Sequence, residues 1–215
     1  MGIALWFVPH SNSQVHDTIQ SLILSLQTLF PDAPVFEPHL TVTSQLKCQT
    51  LDEVNHILTS CAAAVGAIKE SIKGKDGAIV SFSGVSVGKG YFTKVRLTCM
   101  EHKYLMGIAQ VIRELFVAEK PEEAAEWLTE EFRPHVSLVY SDVYHVNQAL
   151  ERVIAQRIED ALDLQLHKVR VAGDHNQCTW QFDSPMTGWG VPGVFKVVRC
   201  EGPVNEWEVL GSVEV

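Results

Sequence analysis

The hydrophobic positions of this chain follow two spacings, one typical of strands and one typical of helices. Residues 3–9, IALWFVP, form an apolar run closed by a proline, and residues 39–46, HLTVTSQL, alternate and are rich in β-branched side chains, so both predict strands. Between them, apolar side chains recur every three or four residues from Val15 to Phe30 and stop at the next proline, which predicts a helix. The chain is therefore predicted to begin with a strand, a helix and a second strand.

The same two spacings continue through the remaining residues. A hairpin is predicted around the turn Gly88-Lys89-Gly90, and a short acidic segment with Pro121 in its first turn predicts a helix. Helical spacing also occurs in residues 51–65, 105–116 and 150–161, and strand-like stretches occupy residues 78–88, 91–99, 135–140, 167–174, 177–183, 194–200 and 206–213.

Alternating strands and helices are compatible with a parallel, doubly wound sheet, but two features favour another arrangement. The hairpin in the middle of the chain and the run of strands at its end are typical of antiparallel pairing. We therefore predict an α+β fold, with antiparallel sheets and helices packed outside them. No linker, low-complexity stretch or block of charge divides residues 1–215, so they are predicted to form one domain.

Composition restricts the class of partner. The formal net charge is −9, which disfavours long nucleic acids and anionic membranes as main ligands, whereas a small anion held by a few placed donors is compatible with it. Five widely spaced cysteines form no C-x-x-C pair, which predicts reduced, buried thiols. The chain also carries no signal-peptide pattern and no long apolar stretch, so we expect a soluble, cytoplasmic monomer.

Two histidines share an extended sequence frame. His39 and His135 each follow Phe-x-Pro and precede an apolar residue, a hydroxyl residue and another apolar residue, in FEPHLTV and FRPHVSL. The hydroxyl residues are Thr41 and Ser137. His16 also precedes a Thr by two positions, but it lies on the polar side of a predicted helix and outside this frame.

This frame suits the hydrolysis of a phosphodiester. Side chains at positions i and i+2 of a strand point to the same face, so each motif presents an imidazole and a hydroxyl side by side. One imidazole would deprotonate an attacking water, the other would protonate the departing alkoxide, and the hydroxyls would hold the non-bridging oxygens. The scheme needs no metal or cofactor, and a near-symmetric pair does not reveal which histidine is the base.

Two other interpretations of the histidines stay open. Both could be satisfied groups on inner strands, with Thr and Ser present for their strand propensity. Both could also be zinc ligands, which would require a third ligand, although no H-x-x-x-H, H-E-x-x-H or Cys/His cluster supplies one.

The segments HLTV and HVSL resemble the paired H-x-[T/S]-x motifs of the 2H phosphoesterase superfamily, at residues 39–42 and 135–138. The length and the spacing resemble its small cyclic nucleotide phosphodiesterase branch in fungi and plants. LWFVP is similar to the family's first strand, in which a Trp three residues before a Pro lies near the site, here Trp6. Tyr140 is similar to an aromatic residue that follows the second motif, although strict alternation places it on the face opposite His135.

The resemblance implies a bilobal, pseudo-twofold α+β fold, in which two antiparallel sheets face a central cleft. It also implies a metal-independent opening of 2′,3′-cyclic nucleotides to 2′-phosphates. The same branch opens ADP-ribose 1″,2″-cyclic phosphate, a by-product of tRNA splicing, to ADP-ribose 1″-phosphate. The fungal branch further implies that peripheral association with Golgi membranes is compatible with this chain.

Beyond the two motifs, Tyr91 and Phe92 follow the glycine-rich turn, where a mobile loop could cover a bound base. Two further functions stay open. An enzyme that processes RNA ends or 2′,5′ linkages would need a basic groove beside the cleft. A non-catalytic nucleotide-binding module would not need both His–hydroxyl pairs.

Overall fold

A computed structural model describes residues 2–72, 77–143, 145–170 and 177–215. The strands in this part of the chain are β1 Gly2–Pro9, β2 Leu40–Ser44, β3 Ser81–Val87, β4 Val95–Cys99, β5 His135–Val139, β6 Leu166–Val169, β7 Cys178–Thr187, β8 Gly193–Cys200 and β9 Glu208–Glu214. The helices are α1 Gln14–Gln27, α2 Leu51–Ile72, α3 Lys103–Phe116, α4 Pro121–Glu130 and α5 Gln148–Leu162. The predicted α+β class is confirmed.

The described strands form one continuous antiparallel sheet in the order β6-β7-β3-β4-β5-β2-β1-β8-β9. The prediction of two separate sheets facing a cleft is therefore wrong. The reason is that β2 and β5, which carry the two motifs, lie next to each other and join the halves through the pair Leu40–Val136. The bilobal shape and the pseudo-twofold relation stay predictions.

The helices begin where the sequence provides caps. The side chain of Ser13 accepts a hydrogen bond from the backbone of His16 at the start of α1, and that of Asn147 does the same for Leu150 at the start of α5. Pro121 occupies the first turn of α4, as predicted. These caps fix the helix starts independently of the core.

The two faces of the central strands have different surroundings. Leu5 and Phe7 of β1 belong to the main hydrophobic core, to which the helices also contribute. Trp6, between them, belongs to a small separate cluster on the other face. Since β2 pairs with β1, and β5 pairs with β2, alternate residues of these strands also point away from the helices. This second face is the one that carries the motif side chains.

Three smaller expectations can be compared with the structure. Tyr91 and Phe92 were predicted to start a strand, but residues Tyr91–Thr93 form a 3₁₀ turn, closed by hydrogen bonds from Gly88 and Thr93. The five cysteines are free and buried, as expected. Residues 171–174 of a predicted strand lie outside the described residues.

In the described ranges, helices that are long and apolar enough to cross a bilayer are absent.

Candidate active site

The register of β2 and β5 brings the four motif side chains together. The two strands pair at Leu40 and Val136. Extending this antiparallel register by one residue in each direction places His39 beside Ser137 and Thr41 beside His135. Adjacent strands lie about 4.8 Å apart, and alternate residues of one strand lie roughly 6–7 Å apart. The groups therefore occupy the corners of a small quadrilateral, with the histidines on one diagonal. Each imidazole has the hydroxyl of the other motif as its cross-strand neighbour.

Both imidazoles are oriented by the same local contact. Nδ1 of His39 lies 2.6 Å from the carbonyl oxygen of Glu37, and Nδ1 of His135 lies 2.8 Å from that of Arg133. A carbonyl can only accept, so Nδ1 carries the proton in each ring and donates it. In each motif a proline lies between the carbonyl residue and the histidine, and it restricts the backbone conformation that brings these two groups together. In the neutral form of each ring, Nε2 is thus left with a lone pair that can accept a proton.

The site favours neutral imidazoles while no ligand is bound. Burial lowers the pKa of His39 to about 4, and the charges of His135 and Lys196 act in the same direction, against the hydrogen bond to Glu37. Burial also lowers the pKa of His135 to about 4, with a further contribution from Arg96. His39 is only 3% exposed, whereas His135 keeps partial access to solvent. A bound anion would oppose both shifts.

Trp6 and Tyr140 both contact His39. The indole of Trp6 lies flat on the imidazole, with ring centroids 3.7 Å apart and an angle of 12° between the planes. The hydroxyl of Tyr140 lies 3.5 Å from Nε2 of His39. β5 ends at Val139, so Tyr140 leaves the alternation that would have placed it on the opposite face. Burial raises the pKa of Tyr140, which keeps its hydroxyl protonated.

Tyr91 and Phe92 pack around Tyr140, together with an aromatic residue that the sequence did not single out. The ring centroids of Tyr91 and Phe92 lie 5.9 Å and 5.2 Å from that of Tyr140. Trp207 lies 5.9 Å from Trp6 and 6.1 Å from Tyr140. The sequence placed Trp207 only near the start of a predicted strand, far from both motifs.

Two basic residues flank the histidines and were also missed. Lys196 is the cross-strand neighbour of Trp6, and its ammonium lies 2.5 Å from the carboxylate of Glu37. Arg96 is the cross-strand neighbour of Ser137, and its Nε donates to the hydroxyl of Ser86 at 3.3 Å. A protein with an overall negative charge thus places one cation on each side of the histidine pair. The alternation of side chains within a single strand gave no reason to select Lys196 or Arg96 as a site residue.

A zinc site would require more ligands than this cleft provides. Among the residues that the structure describes, no group of three or more His, Cys, Asp or Glu side chains could hold a metal ion. The side chains that are present combine proton acceptors or donors with hydroxyl donors. This set can move protons and hold an anion.

Comparison with known proteins agrees with the two motifs. Residues 1–215 match the family described as Cyclic phosphodiesterase-like protein. The 2′,3′-cyclic-nucleotide 3′-phosphodiesterase of Saccharomyces cerevisiae is 52% identical over 239 residues, and that of Eremothecium gossypii is 50% identical over 217 residues, with 100% of both chains covered in each case. The protein of the same name in Kluyveromyces lactis is 45% identical over 215 residues, covering 100% of this chain and 99% of its own. The chain therefore belongs to the cyclic phosphodiesterase-like protein family.

Proposed function

We propose that the protein opens 2′,3′-cyclic nucleotides to nucleoside 2′-phosphates, with His39 and His135 as the acid–base pair. The observation that carries this proposal is the diagonal arrangement of two imidazoles, each with Nδ1 held by a carbonyl and with a hydroxyl from the other motif beside it. The names of the fungal relatives, 2′,3′-cyclic-nucleotide 3′-phosphodiesterase, support the same activity.

The chemistry needs one neutral and one protonated imidazole. Nε2 of the neutral ring takes a proton from water as the water oxygen bonds to phosphorus. The bond between phosphorus and O3′ breaks, and the imidazolium gives its Nε2 proton to the departing O3′. The product carries the phosphate on O2′, and the two rings have exchanged protonation states. Proton exchange with solvent then restores the starting form.

Thr41 and Ser137 are suited to hold the non-bridging oxygens. Each lies beside an imidazole, and hydroxyl donors aimed at a developing negative charge stabilise the transition state. The negative charge of the phosphate also favours protonation of one histidine, which opposes the lowering of both pKa values in the unliganded site.

The neighbouring aromatic residues supply surface for the rest of the substrate. We assign this role to Trp6, whose ring lies on His39, and to Tyr140, Tyr91 and Phe92, whose rings contact one another. ADP-ribose 1″,2″-cyclic phosphate presents the same reacting group, so we propose it as a second substrate, which would link the protein to tRNA splicing. The continuous sheet supports one domain for the whole chain, whereas the oligomeric state and the compartment stay predictions.

The decisive experiment is an incubation with 2′,3′-cyclic AMP in the presence of EDTA, followed by identification of the product. We expect 2′-AMP at an undiminished rate. Binding without turnover would instead support a nucleotide-binding module. Cleavage restricted to oligonucleotides would support an RNA-processing enzyme. Loss of activity on chelation, restored by a divalent metal, would contradict the metal-independent mechanism.

A further inference from the structure

Trp207 reaches the candidate site from the connection between β8 and β9. It follows the 3₁₀ turn Val204–Glu206, and its indole Nε1 donates a hydrogen bond to the carbonyl of Gly202 at 3.3 Å. The ring is only half-buried, although it lies beside the buried rings of Trp6 and Tyr140. Part of the indole is thus left accessible beside the motif side chains.

Phe92 meets Trp207 from the other half of the sheet. It belongs to the connection between β3 and β4, and its ring is 41% exposed. The two centroids are 6.2 Å apart, with 27° between the ring planes. In the strand order, β5, β2 and β1 lie between β4 and β8, so the two connections approach each other over the catalytic strands. The accessible parts of these two rings therefore form one aromatic surface above the motif strands, where a bound ligand would meet it.

The two histidines differ in their surroundings. The ring of His39 contacts the rings of Trp6 and Phe36. His135 has Thr98 as a cross-strand neighbour, and the charge of Arg96 acts on it. Aromatic rings therefore lie against His39 and not against His135 in these contacts, while Lys196 and Arg96 place a cation on each side of the pair.

A nucleoside cyclic phosphate combines a flat base with an anionic phosphate. We propose that Trp207, together with Phe92, binds the nucleobase, and that Trp207 makes the enzyme selective for cyclic phosphates that carry a base. Aromatic side chains bind bases by stacking, and a purine offers more surface than a pyrimidine. Trp207 is then a specificity-determining residue, because it contacts the base rather than the reacting atoms. This inference rests on the proposed function.

The test compares two five-membered cyclic phosphates, one that carries a ribose and a base and one that carries neither. Turnover of 2′,3′-cyclic AMP and of glycerol 1,2-cyclic phosphate is measured for the wild type, Trp207→Ala, Trp207→Leu and Trp207→Phe. Loss of one stacking partner should reduce kcat/KM for the nucleotide by roughly 5- to 100-fold, mainly through KM. We expect glycerol 1,2-cyclic phosphate to be unaffected. Trp207→Phe should retain most of the nucleotide activity, and Trp207→Leu should not.

Trp127→Ala is the matched control, because it removes another half-buried indole, which stacks on Phe132 rather than on a ring that contacts His39. Any effect of Trp127→Ala should be equal for both substrates. An equal loss for both substrates in Trp207→Ala, or full rescue by Trp207→Leu, would mean that Trp207 is only structural and would overturn the inference. A wild type that opens neither substrate would instead refute the proposed function. Thermal unfolding followed by circular dichroism confirms that each variant is folded.

Discussion

The indole of Trp6 covers one face of the imidazole of His39, with the two planes only 12° apart and the ring centroids at 3.7 Å. This contact excludes water from that face and contributes to the burial that lowers the pKa of His39. The same aromatic face attracts a cation, so it stabilises the imidazolium once a proton is bound. Trp6 therefore affects both protonation states of the ring.

Replacing Trp6 by Leu should lower the pKa of His39 further and reduce kcat. Leucine keeps the site apolar but lacks the aromatic face, whose attraction to a cation is worth about 0.5–2 kcal/mol, or roughly 2- to 30-fold in rate. Titration of the imidazole signals by NMR measures the pKa directly, and Trp6→Phe should lie between the wild type and Trp6→Leu. A higher pKa in Trp6→Leu would show that indole burial, rather than its attraction for the cation, dominates.

Loss of either motif histidine should nearly abolish turnover. A positioned acid or base contributes roughly 10²–10⁴-fold, so His39→Ala and His135→Ala should each lose activity on that scale. Because the two rings act in one step, the double variant should be far more active than the product of the single losses predicts.

The control for these variants is His16→Ala, which removes a histidine that also precedes a Thr by two positions. His16 lies on α1, with Nδ1 3.3 Å from the carboxylate of Asp17, and belongs to neither motif. Its loss should leave steady-state kinetics unchanged. Equal losses in all three single variants would show that the assay reports folding rather than catalysis.

Stability should fall in mild acid because of His39. Its pKa is about 4 in the folded protein and 6.5 in an unfolded chain, so the unfolded state binds more protons between these values. The folded state is therefore destabilised as the pH falls from 6.5 to 4, by roughly 3 kcal/mol for a fully buried ring. Urea unfolding at pH 7 and pH 4.5 should show a smaller difference for His39→Asn than for the wild type. An identical difference in both proteins would contradict the lowered pKa.

Lys94 should hold the turn that carries Phe92. Its side chain is fully buried, and its ammonium donates to the carbonyls of Lys89, 3.1 Å away, and Val143, with the charge of Asp32 nearby. Lys94→Met would leave both carbonyls without this donor, which should cost about 1–3 kcal/mol of unfolding free energy and raise KM.

Lys168→Met is the comparison for Lys94→Met. Its ammonium lies 2.7 Å from the carboxylate of Glu151, but the lysine side chain is largely exposed, and exposed ion pairs contribute at most about 1 kcal/mol. Denaturant unfolding of the two variants should therefore differ clearly. If Lys94→Met proves no less stable than Lys168→Met, the buried ammonium does not secure the turn.

The local elements of the fold were predictable from the chain, but the arrangement of its sheet was not. Spacing of apolar residues located α1 and β1, and the repeated Phe-x-Pro-His frame identified the motif strands, because these signals lie in consecutive residues. Which strands become neighbours depends on packing between distant segments. The spacing of apolar residues therefore did not indicate that β2 and β5 are neighbours, and two separate sheets were predicted instead.

The site residues also fall into those that consecutive residues predicted and those that only the fold revealed. His39, Thr41, His135 and Ser137 were predicted because each pair lies two residues apart in one strand. Lys196 and Arg96 come from other strands, and only the register places them beside the motifs. Trp207 comes from the connection before β9 and reaches Trp6 through a ring contact. Tyr140 was an intermediate case, since its position depended on where β5 ends.

The pair Leu40–Val136 joins the strands of the two motifs within the continuous sheet. Each imidazole is held by a carbonyl two residues earlier in its own segment, that of Glu37 for His39 and that of Arg133 for His135. Because neither contact crosses from β2 to β5, the tautomer of each ring is set locally and does not depend on how the two strands pair.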